Sequence, residues 1–394
     1  MLPSHQFSQR IQGALSTMQS FLRYFEAYRQ YPQTPDISDF ALGNPHEMPL
    51  SGFVEALQRS SVPHNKDWFA YKISEQNTRE TVAQTLRVWR GIPFEADDIH
   101  MTNGGFAAIT VALNTVVNPG DEVIFISPPW FFYEPLIISA GGIPIRVKIN
   151  ATTFDLDLDA IAAAITPRTC AILVNSPNNP TGKIYPPETL QALADVLTTA
   201  SQRYSRPIYL LSDEAYSRIV YDGHDFHSAT EYYSNSFLLY TYGKILLTPG
   251  QRIGYIALPP TMSDRDSMRQ AIFGTQVMTG YAFPNALLQH ALPDLEKLSI
   301  DIEHLQEKRN RMVSELQQIG YEVHVPEGTF YLMPKSPLAD DWAFVELLVK
   351  NNILCLPGTV VEQPGYFRIS LTANDQMIDR ALPNFAAAFE QARR

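Results

Sequence analysis

The chain has 394 residues, of which 45% are hydrophobic and 18% are charged, as is usual for globular proteins with a large buried core. This length is more than one ordinary core needs and favours two domains. The formal net charge of -11 at pH 7, without any basic run, argues against a nucleic-acid partner, because phosphate binding depends on clustered Lys and Arg.

The first predicted element is an amphipathic helix over residues 7–31. Aromatic and aliphatic side chains recur there at helical spacing, as Phe21, Leu22, Phe25 and Tyr28. Pro32 and Pro35 are expected to end this helix, because proline lacks the backbone N–H of a helical bond. We expect residues 1–45 to form an arm that is associated with the C-terminal domain.

Short apolar runs alternate with helical patterns from residue 46 to residue 290. The clearest runs, expected to be strands, are 122–126, 170–174, 208–211 and 253–257. Residues 187–204 have the pattern of a helix that crosses from one strand to the next. Uninterrupted apolar strands are typical of a mostly parallel sheet that is covered by helices on both faces. Residues 46–290 are therefore predicted to form a large three-layer α/β domain.

The pattern changes after residue 290. A charged helix is predicted over 294–319, and strand-like runs follow at 321–325, 329–333 and 367–371, with helices between and after them. Residues 291–394 are therefore expected to form a second, smaller α+β domain.

The cysteines, the histidines and the N-terminal residues do not form a pattern that predicts a disulfide, a metal site or a targeting signal. Cys170 and Cys355 lie far apart and show no C-x-x-C spacing, so neither a disulfide framework nor a zinc site is predicted. His224 and His227 have H-x-x-H spacing, but they follow a turn sequence and lack a third ligand, so no metal site is expected. Residues 1–20 do not resemble a signal peptide, and no apolar run is long enough to span a bilayer. We expect a cytoplasmic protein without membrane contact.

Polar residues follow the ends of the predicted strands. Asn179 comes shortly after the run 170–174, Asp213 and Tyr216 follow 208–211, and Lys244 follows the apolar run 237–240. In open α/β sheets the ligand lies outside the carboxyl ends of the strands. These groups are therefore expected to converge on one site.

The residue types in this predicted site suit one kind of ligand. Gly104 and Gly105, at a helix start, would offer backbone N–H groups to a phosphate, and Arg252 would supply a matching charge. Asp213 can keep a pyridine nitrogen protonated through a charge-assisted hydrogen bond. Lys244 can serve as a covalent attachment point and proton carrier.

Two further contacts complete the predicted ring site. Asn179 and Tyr216 can hydrogen-bond a phenolic oxygen, and Trp130 can stack on an aromatic ring.

The blocks 179–182, 213–216 and 244–254 resemble the signature blocks of pyridoxal-phosphate-dependent aminotransferases of class I/II. These enzymes have the fold of aspartate aminotransferase, called fold type I. Order and spacing agree along nearly the whole chain, from Gly43 to Arg368. Any one block is moderately specific, whereas all of them in this order are strongly specific.

The resemblance implies a role for each matching residue. Lys244 would form the Schiff base with pyridoxal 5'-phosphate, and Asp213 would pair with the ring nitrogen. The other implied cofactor contacts are Asn179 and Tyr216 at the ring oxygen, Trp130 on the ring face, and Gly104, Gly105, Phe106, Thr241 and Arg252 at the phosphate.

The substrate and subunit contacts are implied by the same resemblance. Arg368 matches the arginine that grips the substrate α-carboxylate with a bidentate fork, and Gly43 and Asn179 would lie beside that carboxylate. Tyr71 resembles the tyrosine that reaches the phosphate of the neighbouring subunit. The active unit would then be a homodimer.

One block and one further residue depart from the family pattern. After the tyrosine, the family carries a glycine and then a Leu-Arg pair. The aligned residues in this chain are Gln76 and Glu80-Thr81. An alternative register would use Arg79 instead. This difference weakens the assignment of Tyr71 to the phosphate of the neighbouring subunit. Thr241 replaces a more frequent serine but keeps the hydroxyl.

The implied activity is transfer of an amino group between an L-amino acid and a 2-oxo acid, with Lys244, Asp213 and Tyr216 as catalytic residues. One alternative is a lyase, cyclase or synthase with the same fold and cofactor, because the cofactor site does not determine the fate of the carbanion left by removal of the α-proton. Another is a non-catalytic regulatory protein, although the segment before Asp36 is too short and too weakly basic for a DNA-binding domain.

The substrate side chain is less well determined by the sequence. Aromatic residues in regions expected near the pocket hint at an apolar or aromatic substrate: Phe21, Tyr24, Trp68, Phe69, Phe131 and Tyr281. No arginine can be assigned to a second substrate carboxylate.

Overall fold

The computed structural model describes residues 7–31 and 34–394. Its strands are β1 Ser38–Asp39, β2 Ile99–Thr102, β3 Glu122–Ser127, β4 Ile143–Lys148, β5 Thr169–Asn175, β6 Tyr209–Asp213, β7 Ser236–Thr241, β8 Gly254–Ala257, β9 Tyr331–Leu332, β10 Ile353–Leu354, β11 Leu356–Pro357 and β12 Phe367–Ser370. Its α-helices are α1 Gln9–Thr17, α2 Gln19–Gln30, α3 Ser51–Ser60, α4 Gln76–Arg90, α5 Gly105–Val116, α6 Tyr133–Ser139, α7 Leu158–Ala164, α8 Pro187–Tyr204, α9 Tyr242–Ile245, α10 Arg265–Thr279, α11 Ala286–Leu295, α12 Ile302–Ile319, α13 Asp341–Lys350 and α14 Asp375–Ala392. Short 3-10 helices span Ala96–Asp98, Ala229–Glu231 and Gly358–Val361.

Seven strands form the central sheet, in the order β2-β8-β7-β6-β5-β3-β4. The five neighbouring strands from β7 to β4 pair in parallel, whereas β8 is antiparallel to both β7 and β2. The predicted α/β class with a mostly parallel sheet is confirmed. Because β8 runs against its neighbours, its first residue lies at the edge where the other strands end. Arg252, two residues before β8, is thereby brought to that edge.

Helices cover both faces of this sheet. Along β3, Val123 and Phe125 belong to the apolar core under α5 and α6, while Ile124 and Ile126 belong to the core under α8. Side chains alternate between the two faces of a strand, so a strand that is apolar at every position must be covered twice. All six residues of β3 are buried.

The remaining strands form two small sheets. One pairs β1 with β10, and the other has the order β11-β12-β9. The first joins the N-terminal segment to the C-terminal part of the chain, because Ser38 lies opposite Ile353. The second sheet places Arg368 on β12, next to β9. The division into domains at residues 45 and 290 stays a prediction.

Some predicted elements differ from the structure. The helix predicted over 7–31 is two helices, α1 and α2, which meet at Met18; Pro32 lies outside the described residues. The helix predicted over 294–319 begins only at Ile302, where the side chain of Asp301 caps the N-terminus by accepting from the His304 amide. The strand predicted over 321–325 is reduced to a single bridge from Val323. Within the described ranges, no helix has both the length and the apolar character needed to cross a membrane.

Candidate active site

A cavity of about 240 Å³ lies at the carboxyl edge of the central sheet. It brings together most of the predicted site residues, and its lining comprises Gly105, Phe106, Ile109, Trp130, Tyr133, Asn175, Asn179, Asp213, Ala215, Tyr216, Thr241, Gly243, Lys244, Pro249 and Arg252. Of the remaining predicted residues, Gly104 lies against Arg252 and Arg368 donates to Asn179, whereas Gly43 is near Tyr331, which contacts Arg368. Tyr71 does not line the cavity.

Asp213 forms the buried floor of the cavity at the end of β6. Its Oδ2 accepts a hydrogen bond from Tyr133 Oη at 2.5 Å, and its Oδ1 accepts from the Ala215 amide at 3.2 Å. Burial raises the pKa of Asp213, while the Tyr133 hydroxyl, the Ala215 amide and the Lys244 charge act in the opposite direction. The carboxylate therefore relies on a few donors and a nearby cation to stay ionised.

Asn175 fixes the loop that carries Asn179. Asn175 is the last residue of β5; its amide donates to the Asp213 carbonyl at 2.9 Å, and its side-chain oxygen accepts from the Asn179 backbone N–H at 2.7 Å. One side chain thus sets the spacing between two predicted contacts. Tyr133 was not predicted from the sequence. Asn175 was noted there only as a polar residue after the run 170–174 and was given no role.

Lys244 lies on α9, directly after β7. The side chain of Thr241 caps this short helix by accepting from the Gly243 amide at 3.4 Å. The Nζ of Lys244 lies 5.5 Å from the centroid of the Tyr216 ring. The ammonium group therefore faces Tyr216 and electrostatically favours the charged form of Asp213.

An anion cradle lies at the start of α5. Gly104 has a positive φ of 83°, and a Cβ there would lie 2.8 Å from Arg252 Nη2. A Cβ on Gly105 would meet Thr241 Cβ at 3.3 Å. The two glycines therefore let the N-terminal amides of α5 approach the guanidinium and the hydroxyl. The helix dipole and Arg252 both favour an anion at this position.

Arg368 lies beside the cavity and is almost fully buried. Its Nη1 donates to Asn179 Oδ1 at 3.0 Å, and its Nη2 donates to the Ala41 carbonyl at 3.3 Å. Its Nε is buried and has no hydrogen-bond partner among the described residues. A buried donor without a partner is costly, which is consistent with a site that receives an anionic ligand.

Gly43 lies close to this arginine site. A Cβ on Gly43 would be 2.7 Å from Tyr331 Oη. The Tyr331 ring lies 4.1 Å from Cζ of Arg368. Tyr331 was not among the residues predicted from the sequence, because the apolar run 329–333 carried only a strand signal.

Trp130 connects the cavity to an aromatic cluster. Its ring lies edge-on to Phe106 at 5.2 Å and to Tyr133 at 5.5 Å. Phe131 stacks on Phe21 of α2 at 4.6 Å. Helix α2 is therefore in contact with the segment that carries Trp130.

The other aromatic residues named from the sequence have different surroundings. Tyr24 is buried and donates to the Cys355 carbonyl, and Trp68 stacks on His290 at 3.7 Å. Neither lines the cavity. Phe69 is exposed, and Tyr281 packs against the core beside α5.

Tyr71 is 87% exposed, and its ring contacts Phe283 at 4.9 Å. Arg79, the residue of the alternative register, pairs with Asp97 at 2.6 Å on the surface of the same chain. Within one subunit, neither residue reaches the anion cradle.

His227 pairs with Glu231 at 3.0 Å. Among residues 7–31 and 34–394, no group of three His, Cys, Asp or Glu side chains is arranged to hold a metal ion.

Comparison with known proteins agrees with this geometry. The family model described as "Aminotransferase class I and II" matches residues 35–385. A curated relative, the probable aspartate/prephenate aminotransferase of Thermus aquaticus, is 30% identical over 86% of this chain and 88% of its own.

Two solved structures have the same fold. An amino transferase from Eubacterium rectale, at 28% identity, has a TM-score of 0.87 and covers 99% of this chain and 97% of its own. A mutant aspartate aminotransferase of Thermus thermophilus, at 26% identity, has a TM-score of 0.82 and covers 97% of this chain and 99% of its own. The structure is thus that of a fold type I pyridoxal-phosphate enzyme.

The chain belongs to the class I and II aminotransferases. It is a transferase of nitrogenous groups that acts on amino acids and 2-oxo acids, and its cofactor is pyridoxal 5'-phosphate.

The residues present fit this cofactor. The cradle of Gly104, Gly105 and Arg252 suits a phosphate, and the buried carboxylate of Asp213 suits a protonated ring nitrogen. Lys244 lines the same cavity.

Proposed function

We propose that this aminotransferase moves the amino group between an L-amino acid with an apolar or aromatic side chain and a 2-oxo acid. The observation that carries the proposal is the convergence of Lys244, Asp213 and Arg368 around one cavity, with an aromatic wall beside it. The lysine matches the amine, the buried carboxylate matches the cofactor ring, and the buried guanidinium matches the α-carboxylate of the substrate.

Each residue near the ring has a proposed task. When bound, pyridoxal 5'-phosphate supplies an electron sink for the electrons that remain after the substrate loses its α-proton. Lys244 attaches the cofactor and, once released by substrate, accepts the α-proton on Nζ and returns it. Asp213 holds a proton on the ring nitrogen. Asn179 and Tyr216 donate hydrogen bonds to the ring oxygen.

The binding residues hold the rest of the complex. Trp130 stacks on the cofactor ring. The phosphate is held by the amides at Gly104, Gly105 and Phe106, together with the Thr241 hydroxyl and the Arg252 guanidinium. Arg368 binds the substrate α-carboxylate, with Asn179 and the Gly43 backbone beside it.

The lining of the cavity supports an apolar substrate side chain. Within the described residues, this lining contains two cations, Lys244 and Arg252, and each already has a task. Phe106, Ile109 and Trp130 supply apolar surface. The relative from Thermus aquaticus is named for aspartate and prephenate, so acidic substrates are the competing class that must be tested.

We propose that the active unit is a homodimer and that Tyr71 reaches the phosphate held by the partner subunit. Tyr71 is 87% exposed and does not line the cavity of its own chain. Other large apolar side chains are also exposed, including Phe69, which is near in sequence, and Phe283, which its ring contacts. A second copy would cover such residues, since exposed apolar groups commonly mark interfaces.

The absorption spectrum of the purified holoenzyme tests the proposed role of Lys244. The wild type should show a visible band that borohydride bleaches, and Lys244→Ala should lose this band and lower the rate by roughly a thousandfold or more. Lys148→Ala, which alters an exposed lysine at the end of β4, is the matched control. It should keep the visible band and the wild-type rate. A normal spectrum and rate in Lys244→Ala would exclude the assignment.

A screen of amino donors tests the substrate class. Phenylalanine, tyrosine and leucine should convert the cofactor to its amine form faster than aspartate or glutamate does, with release of the matching 2-oxo acid. Faster conversion by aspartate would show that the enzyme prefers acidic side chains. Loss of substrate without any amine form of the cofactor would indicate a lyase instead.

A further inference from the structure

Tyr331 is a buried phenol beside the carboxylate-binding arginine. It lies on β9, which pairs with β12, the strand of Arg368. Only 3% of its surface is exposed. Cζ of Arg368 lies 4.1 Å from the Tyr331 ring centroid, so the guanidinium lies over the ring face. This cation–π contact limits where the guanidinium can move.

The hydroxyl of Tyr331 lies next to Gly43 and Tyr216. A Cβ on Gly43 would lie 2.7 Å from this oxygen, so the hydroxyl borders the Gly43 backbone. The hydroxyl also shares a hydrogen bond with the Tyr216 phenol. The Tyr331 oxygen therefore borders Gly43 and Tyr216, while Arg368 lies over the Tyr331 ring. These are the residues proposed to surround the α-carboxylate and the ring oxygen.

Charges around the phenol give it an unusual acidity. Burial raises the pKa of Tyr331, but Arg368, Lys244 and the hydrogen bond from Tyr216 together lower it by more, so the pKa lies below the ordinary tyrosine value. The pKa of Tyr216 is raised, first by burial and then by Tyr331. Of the two phenols, Tyr331 therefore loses its proton first, and its protonated form becomes a strong hydrogen-bond donor to an anion.

We propose that Tyr331 is a second binding residue for the substrate α-carboxylate: its ring supports the Arg368 guanidinium, and its hydroxyl donates a hydrogen bond to a carboxylate oxygen. The inference rests on the proposed function, in which Arg368 receives that carboxylate. No bond to Tyr331 forms or breaks; the residue contributes affinity and orientation.

Binding of the substrate carboxylate is linked to protonation of the Tyr331 phenol. A carboxylate and a phenolate would compete for the same positive charges, Arg368 and Lys244. In the holoenzyme the single Tyr216 proton is donated to the cofactor ring oxygen, so Tyr216 would not also stabilise the phenolate. Binding therefore favours the protonated phenol. Carboxylate affinity should weaken as the pH rises through the Tyr331 pKa, by about tenfold for each further pH unit.

The variant Tyr331→Phe keeps the ring under Arg368 and removes the hydroxyl. In the holoenzyme, it should raise the KM of the amino acid and of the 2-oxo acid by the same factor, roughly tenfold or more, because both carry the α-carboxylate. The kcat should change far less. Calorimetry with the deamino analogue of the best donor, such as 3-phenylpropionate for phenylalanine, should show the same loss of affinity. The affinity of Tyr331→Phe for this analogue should also no longer fall at high pH.

Tyr321→Phe is the matched control, because it removes another buried hydroxyl, which donates to the Phe385 carbonyl away from the cavity. It should leave both KM values unchanged. If the wild type transaminates and Tyr331→Phe keeps wild-type KM values, the role of Tyr331 is wrong while the proposed function stands. If the wild type does not transaminate at all, the proposed function itself fails.

Discussion

The ionised form of Asp213 depends on individual donors. The carboxylate is buried, and burial raises its pKa, against which the Tyr133 hydroxyl at 2.5 Å is the strongest opposing contact. Cofactor binding requires the anionic carboxylate, because it must pair with a protonated ring nitrogen. Binding at low pH must therefore displace a proton from Asp213.

Tyr133→Phe should weaken pyridoxal 5'-phosphate binding by roughly tenfold at neutral pH, the usual effect of losing one hydrogen bond to a charged group. Without the hydroxyl, the Asp213 pKa rises further. The pH below which cofactor affinity falls should therefore move upward. Quenching of tryptophan fluorescence in the apoenzyme, titrated with cofactor across a pH series, measures both effects.

Tyr185→Phe provides the control for this experiment. Tyr185 is also buried, but its hydroxyl has no hydrogen-bond partner among the described residues. The control should bind the cofactor as the wild type does at every pH. An unchanged pH dependence in Tyr133→Phe would show that Asp213 does not need this donor.

Residue types at strand ends were informative because they are polar where an apolar run stops. Lys244, Asp213 and Asn179 were identified in this way, and the structure places all three at one cavity. Tyr133 and Tyr331 were missed, since each lies in an aromatic or apolar stretch where a tyrosine is usually core. Their hydroxyl contacts depend on which strands become neighbours, and local sequence does not specify that.

At the scale of elements, α2 supports the wall of the cavity. Phe21 stacks on Phe131 at 4.6 Å and lies edge-on to Phe132 at 5.1 Å. Phe132 in turn lies 5.0 Å from Trp130. A chain of ring contacts thus runs from the N-terminal helix to the proposed cofactor stacking residue.

Phe21→Ala should raise the KM for an aromatic donor by roughly fivefold to tenfold, because aromatic pairs contribute about 0.5–1.5 kcal/mol each beyond burial. The kcat should change less. Steady-state kinetics with phenylalanine measures this effect, and Leu22→Ala, on the exposed side of the same helix, is the control. An equal change in both variants would mean that Phe21 affects only the stability of α2.

Elements were predicted better in the interior than at the periphery. The strands at 122–126, 170–174 and 208–211 correspond to β3, β5 and β6, because their length and apolar character favour a buried strand. The break at Met18 was not foreseen, since the helical spacing continues across it. The run 321–325 has an alternating pattern, but only Val323 forms a bridge, so pairing depends on a neighbour rather than on propensity.

For the whole molecule, the strand order decides which residues meet. Arg252 joins the anion cradle because β8 is antiparallel, a feature that no local pattern in 253–257 reveals. The outer surface is a second property of the whole molecule. Within residues 7–31 and 34–394, Val277 and Met278 of α10 are exposed, as are Phe69 and Phe283. These side chains would be covered at the proposed interface with a second copy.

Mixing two variants with different defects tests whether the partner subunit completes the active site. Tyr71→Ala should bind cofactor weakly, and Lys244→Ala should be inactive. If Tyr71 serves the site of the neighbouring subunit, a mixed dimer has one site with Lys244 on one chain and Tyr71 from the other. Unfolding and refolding the two variants together should then restore about a quarter of wild-type activity, because half of the dimers are mixed and each has one intact site.

The control for this mixing experiment is Lys244→Ala refolded with Asp213→Asn. Both residues line the same chain's cavity, so in the mixed dimer one site lacks Lys244 and the other lacks Asp213. This pair should therefore recover no activity. Absence of recovery with Tyr71→Ala as well would show that Tyr71 does not serve the site of the neighbouring subunit, whereas recovery in that pair alone would show that the active site is shared between subunits.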